Sequence, residues 1–411
     1  MYERFLSIHL AESLLDTPVV LLLGARQVGK STLTQSLKNE NYQPNYLTFD
    51  DTTLLVAAKG NPNSFLDSVK PPIIFDEIQR VPELFLPIKL LVDRNREAGS
   101  FLLTGSANVL LMPTIADSLA GRLEILELRP LSQGEITGKR EDFIDWVCSD
   151  EFDLPTVKYV GDRENLFEKM LTGGYPEVVG RKTTNRRNAW FNSYISTLLQ
   201  RDVRDLANIE GLIDFPKLLS ILAARAGGLL NYAEVSRSSG LPQTTLKRYV
   251  ALLENLFLIE YLPAYSGSLT KRLMKTPKLF FTDTGLLSYL QNLTWEKIKF
   301  EPTLAGMLTE NFVVAELKKQ LAWNRTRVNM CHFRTSTDHE VDIVLEMPSG
   351  EVVGIEIKSG ANLNRDAFKG LRVLETDLGK KFKRGIIIYT GENAVAFDKN
   401  MFAVPINRIW E

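Results

Sequence analysis

The sequence predicts an α/β fold whose first domain is built on a parallel sheet. Runs typical of parallel strands occupy residues 18–23, 72–75, 100–104 and 123–128, and the first of them is fully apolar. Helix-length connections separate these runs, which is the pattern of a layered α/β protein. The first run leads directly into the motif G-x-x-x-x-G-K-[ST], and a helical stretch follows at residues 32–38.

This phosphate-loop motif is specific in its setting, because a strand precedes it and a helix follows it. Its glycines let backbone N–H groups turn toward phosphate oxygens. Lys30 is predicted to reach the β- and γ-phosphates of ATP, and Ser31 to offer its hydroxyl to Mg²⁺. The predicted nucleotide-binding residues of the loop are Gly24, Ala25, Arg26, Gln27, Val28, Gly29, Lys30, Ser31 and Thr32.

Polar side chains follow the second and third predicted strands. Asp76 is expected to hold the Mg²⁺ with its water shell, and Glu77 to polarise the water that attacks the γ-phosphate. Thr104, Ser106 and Asn108 follow the third strand, where they either sense the γ-phosphate or simply cap a turn.

Arg122 directly follows a glycine before the fourth predicted strand. We consider it a candidate arginine finger, which would complete the site of a neighbouring subunit. An ordinary surface arginine is the alternative.

Several segments together resemble a prokaryotic AAA+ ATPase family whose C-terminal half is of unknown function. They lie at residues 24–31, 75–79, 103–108, 119–122, 174–177, 200–203 and 277–285, so the resemblance covers nearly the whole chain. It implies ATP hydrolysis coupled to assembly of a ring or partial ring, so we expect a homo-oligomer, such as a hexamer. It also makes Arg201 and Arg204, in a helical lid, candidates for nucleotide sensing, unless they form salt bridges with Asp202 and Asp205.

We predict four domains, consistent with a length of 411 residues, which exceeds what one hydrophobic core usually serves. They are a P-loop AAA+ core at 1–140, a helical lid at 141–210, a winged helix-turn-helix at 211–290 and a restriction-endonuclease-like domain at 291–411. The third assignment depends on a predicted helix at 231–238, a glycine turn, a second helix at 242–255 and a short strand.

The predicted winged helix carries a local excess of positive charge in a protein whose net charge is −1. Residues 216–278 contain nine basic and three acidic side chains. Such a patch favours contact with DNA phosphates, although winged helices also dock proteins. The candidate DNA-binding residues are Arg237, Thr244, Lys247, Arg248, Lys271, Arg272 and Lys275.

A second site is predicted from an acidic hairpin in the C-terminal region. Strand period places Glu356 and Lys358 on one face, and a hairpin would bring Asp342 beside them. Asp342 and Glu356 are candidate Mg²⁺ ligands, and Lys358 would orient the attacking water. The spacing resembles the D…E-x-K pattern of the restriction-endonuclease-like superfamily, in which an upstream helix often adds an acid, here Glu310.

Three interpretations of the acidic hairpin remain open: metal-dependent phosphodiester cleavage, a binding module on the same fold, and a salt bridge on an exposed strand.

Composition limits the other functions. Two cysteines and three histidines are too few for a Cys/His zinc site to be expected. The apolar runs are strand-sized and the chain does not start like a secretory signal, so we expect a cytoplasmic protein without membrane segments.

The functional hypothesis is an ATPase that acts on DNA, on branched structures or ends. The alternative is a nucleotide-dependent switch that recruits a protein partner.

Overall fold

The computed structural model describes residues 2–38, 42–107, 119, 121–155, 159, 162–198, 215–267, 272 and 275–411. The chain forms two compact units, one comprising Met1–Pro130 with Leu252–Leu258, the other Leu131–Ala251 with Ile259–Glu411. In the described ranges, no helix has both the length and the apolar character that a membrane crossing requires.

The first unit contains a five-stranded, all-parallel sheet of strand order β2-β3-β4-β1-β5. The central strands are buried along their whole length, as their apolar sequences require. The strands are β1 (Val19–Leu23), β2 (Asn45–Thr48), β3 (Ile73–Asp76), β4 (Phe101–Gly105) and β5 (Leu123–Glu127). The helices are α1 (Leu6–Asp16), α2 (Lys30–Ser36), α3 (Thr52–Gly60), α4 (Pro62–Asp67) and α5 (Phe85–Arg94).

The second unit begins with helices and ends in a mixed sheet. Its helices are α6 (Gln133–Thr137), α7 (Phe143–Cys148), α8 (Arg163–Thr172), α9 (Pro176–Val179), α10 (Thr184–Leu198), α11 (Phe215–Ala223), α12 (Tyr232–Ser239), α13 (Gln243–Asn255, which continues into the first unit), α14 (Thr284–Gln291), α15 (Trp295–Phe300), α16 (Pro302–Gln320) and α17 (Lys369–Leu378). A two-stranded antiparallel sheet joins β6 (Ile259–Leu262) to β7 (Lys278–Phe281).

The C-terminal sheet has six strands in the order β12-β13-β11-β10-β9-β8. Its strands are β8 (Asn329–Arg334), β9 (Glu340–Glu346), β10 (Val352–Lys358), β11 (Phe382–Tyr389), β12 (Val395–Asp398) and β13 (Met401–Pro405). β9 and β10 form the predicted antiparallel hairpin, whereas β10, β11 and β13 run parallel. The predicted α/β class and the parallel sheet of the first domain are confirmed, and the structure adds a mixed sheet at the C-terminus.

The helix-turn-helix elements lie close to their predicted positions. The Asn231 side chain caps α12 by accepting hydrogen bonds from two backbone N–H groups. Gly240 ends that helix in the left-handed conformation (φ 77°), which a glycine adopts without steric cost. β6 pairs with β7 in antiparallel orientation, and β7 follows β6 in the chain after residues 263–277. The winged-helix assignment itself stays a prediction.

Two of the segments that carry the family resemblance meet inside the second unit. The buried carboxylate of Asp283 accepts hydrogen bonds from the N–H of Gly174 (2.6 Å) and the N–H of Leu286 (2.8 Å). Gly173 lies so close to this carboxylate that a Cβ there would collide with it. These residues therefore join the helical region to α14, which gives them a structural role.

Candidate functional site

The phosphate loop connects the end of β1 to the start of α2. Gly24 (φ 151°) approaches the carbonyl of Leu128 so closely that a Cβ would collide with it, so only glycine fits. Gly29 (φ 99°) is the N-cap of α2. The buried Lys30 ammonium lies across the loop and donates hydrogen bonds to the carbonyl oxygens of Gly24 (2.9 Å) and Ala25 (3.0 Å).

Arg4 fixes the loop from outside the motif. Its guanidinium is buried and donates to the carbonyl oxygen of Val28 (2.7 Å) and to that of Arg129 (2.6 Å). The loop is thereby tied to the segment that follows β5. Sequence reasoning missed Arg4, because a single arginine 20 residues before the motif gives no pattern.

Ser31 and Asp76 come together at the carboxyl edge of the sheet, as predicted for this pair. The Ser31 hydroxyl lies 3.1 Å from both carboxylate oxygens of Asp76. Because a hydroxyl and a carboxylate are oxygen ligands that Mg²⁺ prefers, this pair fits the ion that accompanies a nucleoside triphosphate.

Tyr46, on the edge strand β2, is a further member of this cluster. Its hydroxyl donates to Asp76 Oδ2 (2.7 Å). Burial, together with the hydrogen bond to Asp76, raises the pKa of Tyr46 to about 12, so the phenol remains a donor. Nothing in the sequence of β2 singled Tyr46 out.

The predicted site residues at the ends of β3 and β4 are connected by hydrogen bonds. The Thr104 hydroxyl donates to Asp76 Oδ1 (2.5 Å) and accepts from the backbone N–H of Glu77 (3.2 Å). Ser106 donates to Glu77 Oε2 (3.0 Å), and the Gln79 amide contacts both Ser106 and Glu77. Glu77 itself is in the left-handed conformation (φ 59°), which is uncommon outside glycine and asparagine and often marks a functional residue.

Three predicted nucleotide-sensing residues lie outside the described residues. They are Asn108, which follows β4, and the two arginines of the predicted lid, Arg201 and Arg204.

Arg122 lies at the opposite edge of the sheet from its own phosphate loop. Leu123 pairs with Val19, so Arg122 precedes the first residue of its strand, whereas the loop follows the last residue of β1. A five-residue strand separates these two edges by about 16 Å. The Arg122 side chain forms an ion pair with Asp93 on α5.

The acidic hairpin brings all four predicted residues of the second site into one cluster in the second unit. Asp342 Oδ2 accepts the backbone N–H of Ile357 (2.8 Å), and Lys358 donates to Glu356 Oε1 (2.7 Å). Glu310, from α16, faces the same cluster.

The cluster contains two charged residues that the sequence did not indicate, Glu340 and Lys278. The Lys278 ammonium, from β7, lies 2.8 Å from Glu310 Oε1 and 3.5 Å from Asp342 Oδ1, and it also contacts Glu340. Lys278 had been counted as part of the basic surface, yet its side chain is only 4% exposed.

Burial controls the ionisation of these acids. It raises the pKa of Glu310 to about 8, with a further contribution from the neighbouring Asp342. The same two causes raise the pKa of Glu356 to about 8. For Lys278, burial lowers the pKa, but the surrounding carboxylates outweigh it and raise the value above its ordinary one.

With the Lys278 ammonium in place, the cluster does not fit a divalent metal. Among the residues that the structure describes, no three Asp, Glu, His or Cys side chains converge as a metal-binding set. The space between the carboxylates of Glu310, Glu340 and Asp342 holds the Lys278 ammonium.

The candidate DNA-binding residues differ in solvent exposure and in ion pairing. Arg237, Thr244, Lys247, Arg248 and Lys275 are exposed. Arg272 instead forms a two-pronged ion pair with Glu346 (2.9 and 3.2 Å) and lies over the ring of Tyr265. Lys271 lies outside the described residues.

The phosphate loop, the Ser31–Asp76 pair and Glu77 at one edge of a parallel sheet define a P-loop ATPase core of the AAA+ type. Residues 16–137 match the family model described as an AAA domain. Residues 163–297 and 305–409 match two domains of unknown function, DUF8612 and DUF4143.

Two relatives are similar along much of the chain. An uncharacterized protein of Mycobacterium tuberculosis is 30% identical over 412 residues, covering 99% of this chain and 84% of that protein. An uncharacterized protein of Methanocaldococcus jannaschii is 24% identical over 319 residues, covering 75% of this chain and 68% of that protein. The chain belongs to this family of prokaryotic AAA+ ATPases with a C-terminal DUF4143 region.

Among solved structures, a Walker-type ATPase of Pyrococcus abyssi is similar with a TM-score of 0.44 and 18% identity. The similarity covers 71% of this chain and 96% of that one.

Proposed function

We propose that this protein is a Mg²⁺-dependent ATP hydrolase that acts on DNA. The observation that carries the proposal is the meeting of Lys30, Ser31, Asp76 and Glu77 at the carboxyl edge of one sheet. This edge combines a phosphate cradle with oxygen ligands for Mg²⁺.

Lys30 prepares the loop for an anionic ligand. Its hydrogen bonds to the carbonyls of Gly24 and Ala25 join an ion to neutral dipoles. Phosphate oxygens, which are charged, form stronger charge-assisted hydrogen bonds with an ammonium. Lys30 is therefore expected to exchange these carbonyls for the β- and γ-phosphate oxygens when ATP binds.

Ser31 and Asp76 would hold Mg²⁺, with Tyr46 and Thr104 orienting the Asp76 carboxylate. The ion, when bound, neutralises charge on the phosphates. Glu77 accepts a proton from the water that attacks the γ-phosphorus, and the bond to the β-phosphate oxygen breaks, yielding ADP and phosphate. One carboxylate oxygen, Glu77 Oε2, accepts a hydrogen bond from the Ser106 hydroxyl at 3.0 Å, which orients the carboxylate.

Arg122 supports a homo-oligomer, with a hexamer as the proposed form. A side chain at the amino edge cannot reach the phosphate loop at the carboxyl edge of its own sheet, about 16 Å away. If Arg122 acts on a nucleotide, it therefore acts at the site of another subunit, as an arginine finger in trans does. Its ion pair with Asp93 is the alternative role.

The DNA part of the proposal depends on the exposed basic residues of α12 and α13. Arg237, Lys247 and Arg248 are exposed, and Lys247 lies over the ring of Tyr232. Side chains of this type contact phosphates and position a protein on a duplex.

A nucleotide-dependent switch that recruits a protein is the second candidate. It is favoured by the ion pairs that Arg225, Arg272 and Lys278 form within the unit, which reduce the charge available to DNA. Metal-dependent DNA cleavage is not included in the proposed function, because the acidic cluster offers no metal-binding set.

The test measures ATP turnover of the purified protein with no DNA and with linear and branched DNA. Lys30→Ala should reduce turnover by about 100-fold or more. The matched control is Lys38→Ala, at an exposed lysine just after α2, which should leave turnover unchanged. Turnover that survives Lys30→Ala would remove the proposal.

DNA coupling is tested with the double variant Lys247→Ala/Arg248→Ala. Its matched control is Lys380→Ala/Lys381→Ala, an exposed basic pair in the C-terminal region. DNA should accelerate the wild type and the control but not the first variant. A wild-type ATPase that does not respond to any DNA would support the protein-recruiting switch instead.

A further inference from the structure

Lys278 is an ammonium enclosed by carboxylates. Its side chain is 4% exposed and comes from β7, outside the C-terminal sheet. The carboxylates around it come from α16 (Glu310) and from β9 (Glu340 and Asp342). One cation thus connects three elements of the second unit.

A glycine beside β7, Gly227, leaves space for the Glu310 carboxylate. Gly227 (φ 78°) is hydrogen-bonded through its N–H to the carbonyl of Leu279, the residue after Lys278. A Cβ at Gly227 would lie 3.1 Å from Glu310 Oε2, which is tighter than an ordinary contact. Any larger residue at 227 would therefore press on the Glu310 carboxylate.

Charge compensation explains why these groups stay together. A buried ammonium without partners is costly, and so is a group of buried carboxylates without a cation. The Lys278 ammonium gains negatively charged partners, and the carboxylates gain a cation. A divalent ion placed between the same oxygens would lie next to the ammonium, and the two cations would repel each other in a poorly solvated site.

We propose that Lys278 is the internal cation of the acidic cluster and occupies the place that a divalent metal takes in a restriction-endonuclease-like site. The cluster then serves to lock β7 against the C-terminal sheet. In this state it does not take up Mg²⁺ or Mn²⁺. This inference is independent of ATP hydrolysis.

Lys358 is engaged in the same way on the other side of the cluster. Its ammonium donates to Glu356 Oε1 at 2.7 Å, so this lysine compensates a carboxylate. The second oxygen, Glu356 Oε2, is buried with no hydrogen-bond partner among the described residues. Lys358 neutralises the acid beside it. Lys278 contacts the other three, and its single positive charge offsets part of their negative charge.

The experiment measures Mn²⁺ binding to the full-length protein without nucleotide, by electron paramagnetic resonance and calorimetry. Asp76→Asn is present in every sample, so that the phosphate-loop site does not contribute. The samples are this parent, the parent with Asp342→Asn, the parent with Lys278→Met, and the Lys278→Met protein with Asp342→Asn added. Lys275→Met, an exposed lysine three residues away, is the matched control.

The parent and the Lys275→Met control should bind no Mn²⁺ at millimolar concentration. Lys278→Met should gain one site, and Asp342→Asn should abolish it. Lys278→Met should also lower the melting temperature by about 10 °C, because it leaves buried carboxylates without a cation, and Mn²⁺ should restore part of this loss.

Two results would overturn the inference. One is Mn²⁺ binding by the parent that disappears with Asp342→Asn, since the site would then be open despite Lys278. The other is a folded Lys278→Met protein that gains no site. If Lys278→Met does not fold, Lys278→Gln replaces it in the same comparisons.

Discussion

Replacing Arg4 by methionine should weaken ATP binding more than it slows turnover. Methionine keeps the aliphatic length but removes the guanidinium, which donates to the carbonyls of Val28 (2.7 Å) and Arg129 (2.6 Å). Each hydrogen bond from a charged group contributes about 1.5–3 kcal/mol. The loop would lose its connection to the segment after β5, and its backbone amides would no longer be held in place for phosphate.

Only part of this energy appears in the affinity, because the rest is lost as general stability. If half of it is needed to order the loop, the cost of binding is about 1.5–3 kcal/mol, which corresponds to about 10- to 100-fold in the dissociation constant. The turnover number at saturating ATP should change less, since Lys30, Asp76 and Glu77 are intact once the nucleotide is bound.

The assay is calorimetric titration with Mg²⁺–ATP, together with turnover at saturating ATP. Arg94→Met, an exposed arginine at the end of α5, is the matched control, and Arg4→Lys should recover part of the affinity. The reasoning is refuted if Arg4→Met binds ATP as tightly as the control while remaining folded.

Three further predictions concern stability and assembly. Burial, assisted by the nearby Glu316, raises the pKa of Glu141 to about 8, so the folded state keeps a proton that the unfolded state releases above its ordinary pKa of 4.5. This stabilisation is complete below about pH 4.5 and is lost as the pH rises through about 8. Glu141 should contribute on the order of 1 kcal/mol per pH unit to the decline in the free energy of unfolding between pH 5 and 8. Glu141→Gln should reduce the slope measured by urea unfolding by that amount, and the decline due to Glu310 and Glu356 should remain. Asp283→Ala, which leaves two buried backbone N–H groups without their acceptor, should lower the free energy of unfolding by about 3 kcal/mol, with a smaller loss for Asp283→Asn; equal stability of Asp283→Ala and wild type would contradict the structural role. If the finger acts in trans, mixing inactive Arg122→Ala and Lys30→Ala proteins should restore ATPase activity, whereas a mixture as inactive as its components would argue against a shared site.

The ATPase site could be predicted from sequence because its residues lie in short contiguous motifs at strand ends. In a parallel sheet, such ends meet at one edge whatever the connections between them. Ser31, Asp76 and Glu77 therefore came together as expected. Arg4 and Tyr46 act on the same site from positions with no motif around them, and only the fold brings them there.

The second site shows that a count of charged residues along the sequence does not reveal which of them are buried. The D…E-x-K spacing located Asp342, Glu356 and Lys358 in one cluster, since strand period fixes which side chains share a face. Charge counting, however, treated Lys278 as a surface cation, because a sum over a sequence window contains no information about burial. The meaning of a charge depends on which groups surround it.

Lys30 and Lys278 illustrate this dependence within one chain. Both ammonium groups are buried, at 5% and 3% exposure of the residue. Lys30 donates to two carbonyl oxygens, and an anionic ligand offers it stronger partners than those dipoles. Lys278 already contacts three carboxylates, so an anion has nothing to add and a metal ion would have to displace it. From these surroundings we conclude that the first lysine is prepared for a phosphate ligand and that the second completes the fold.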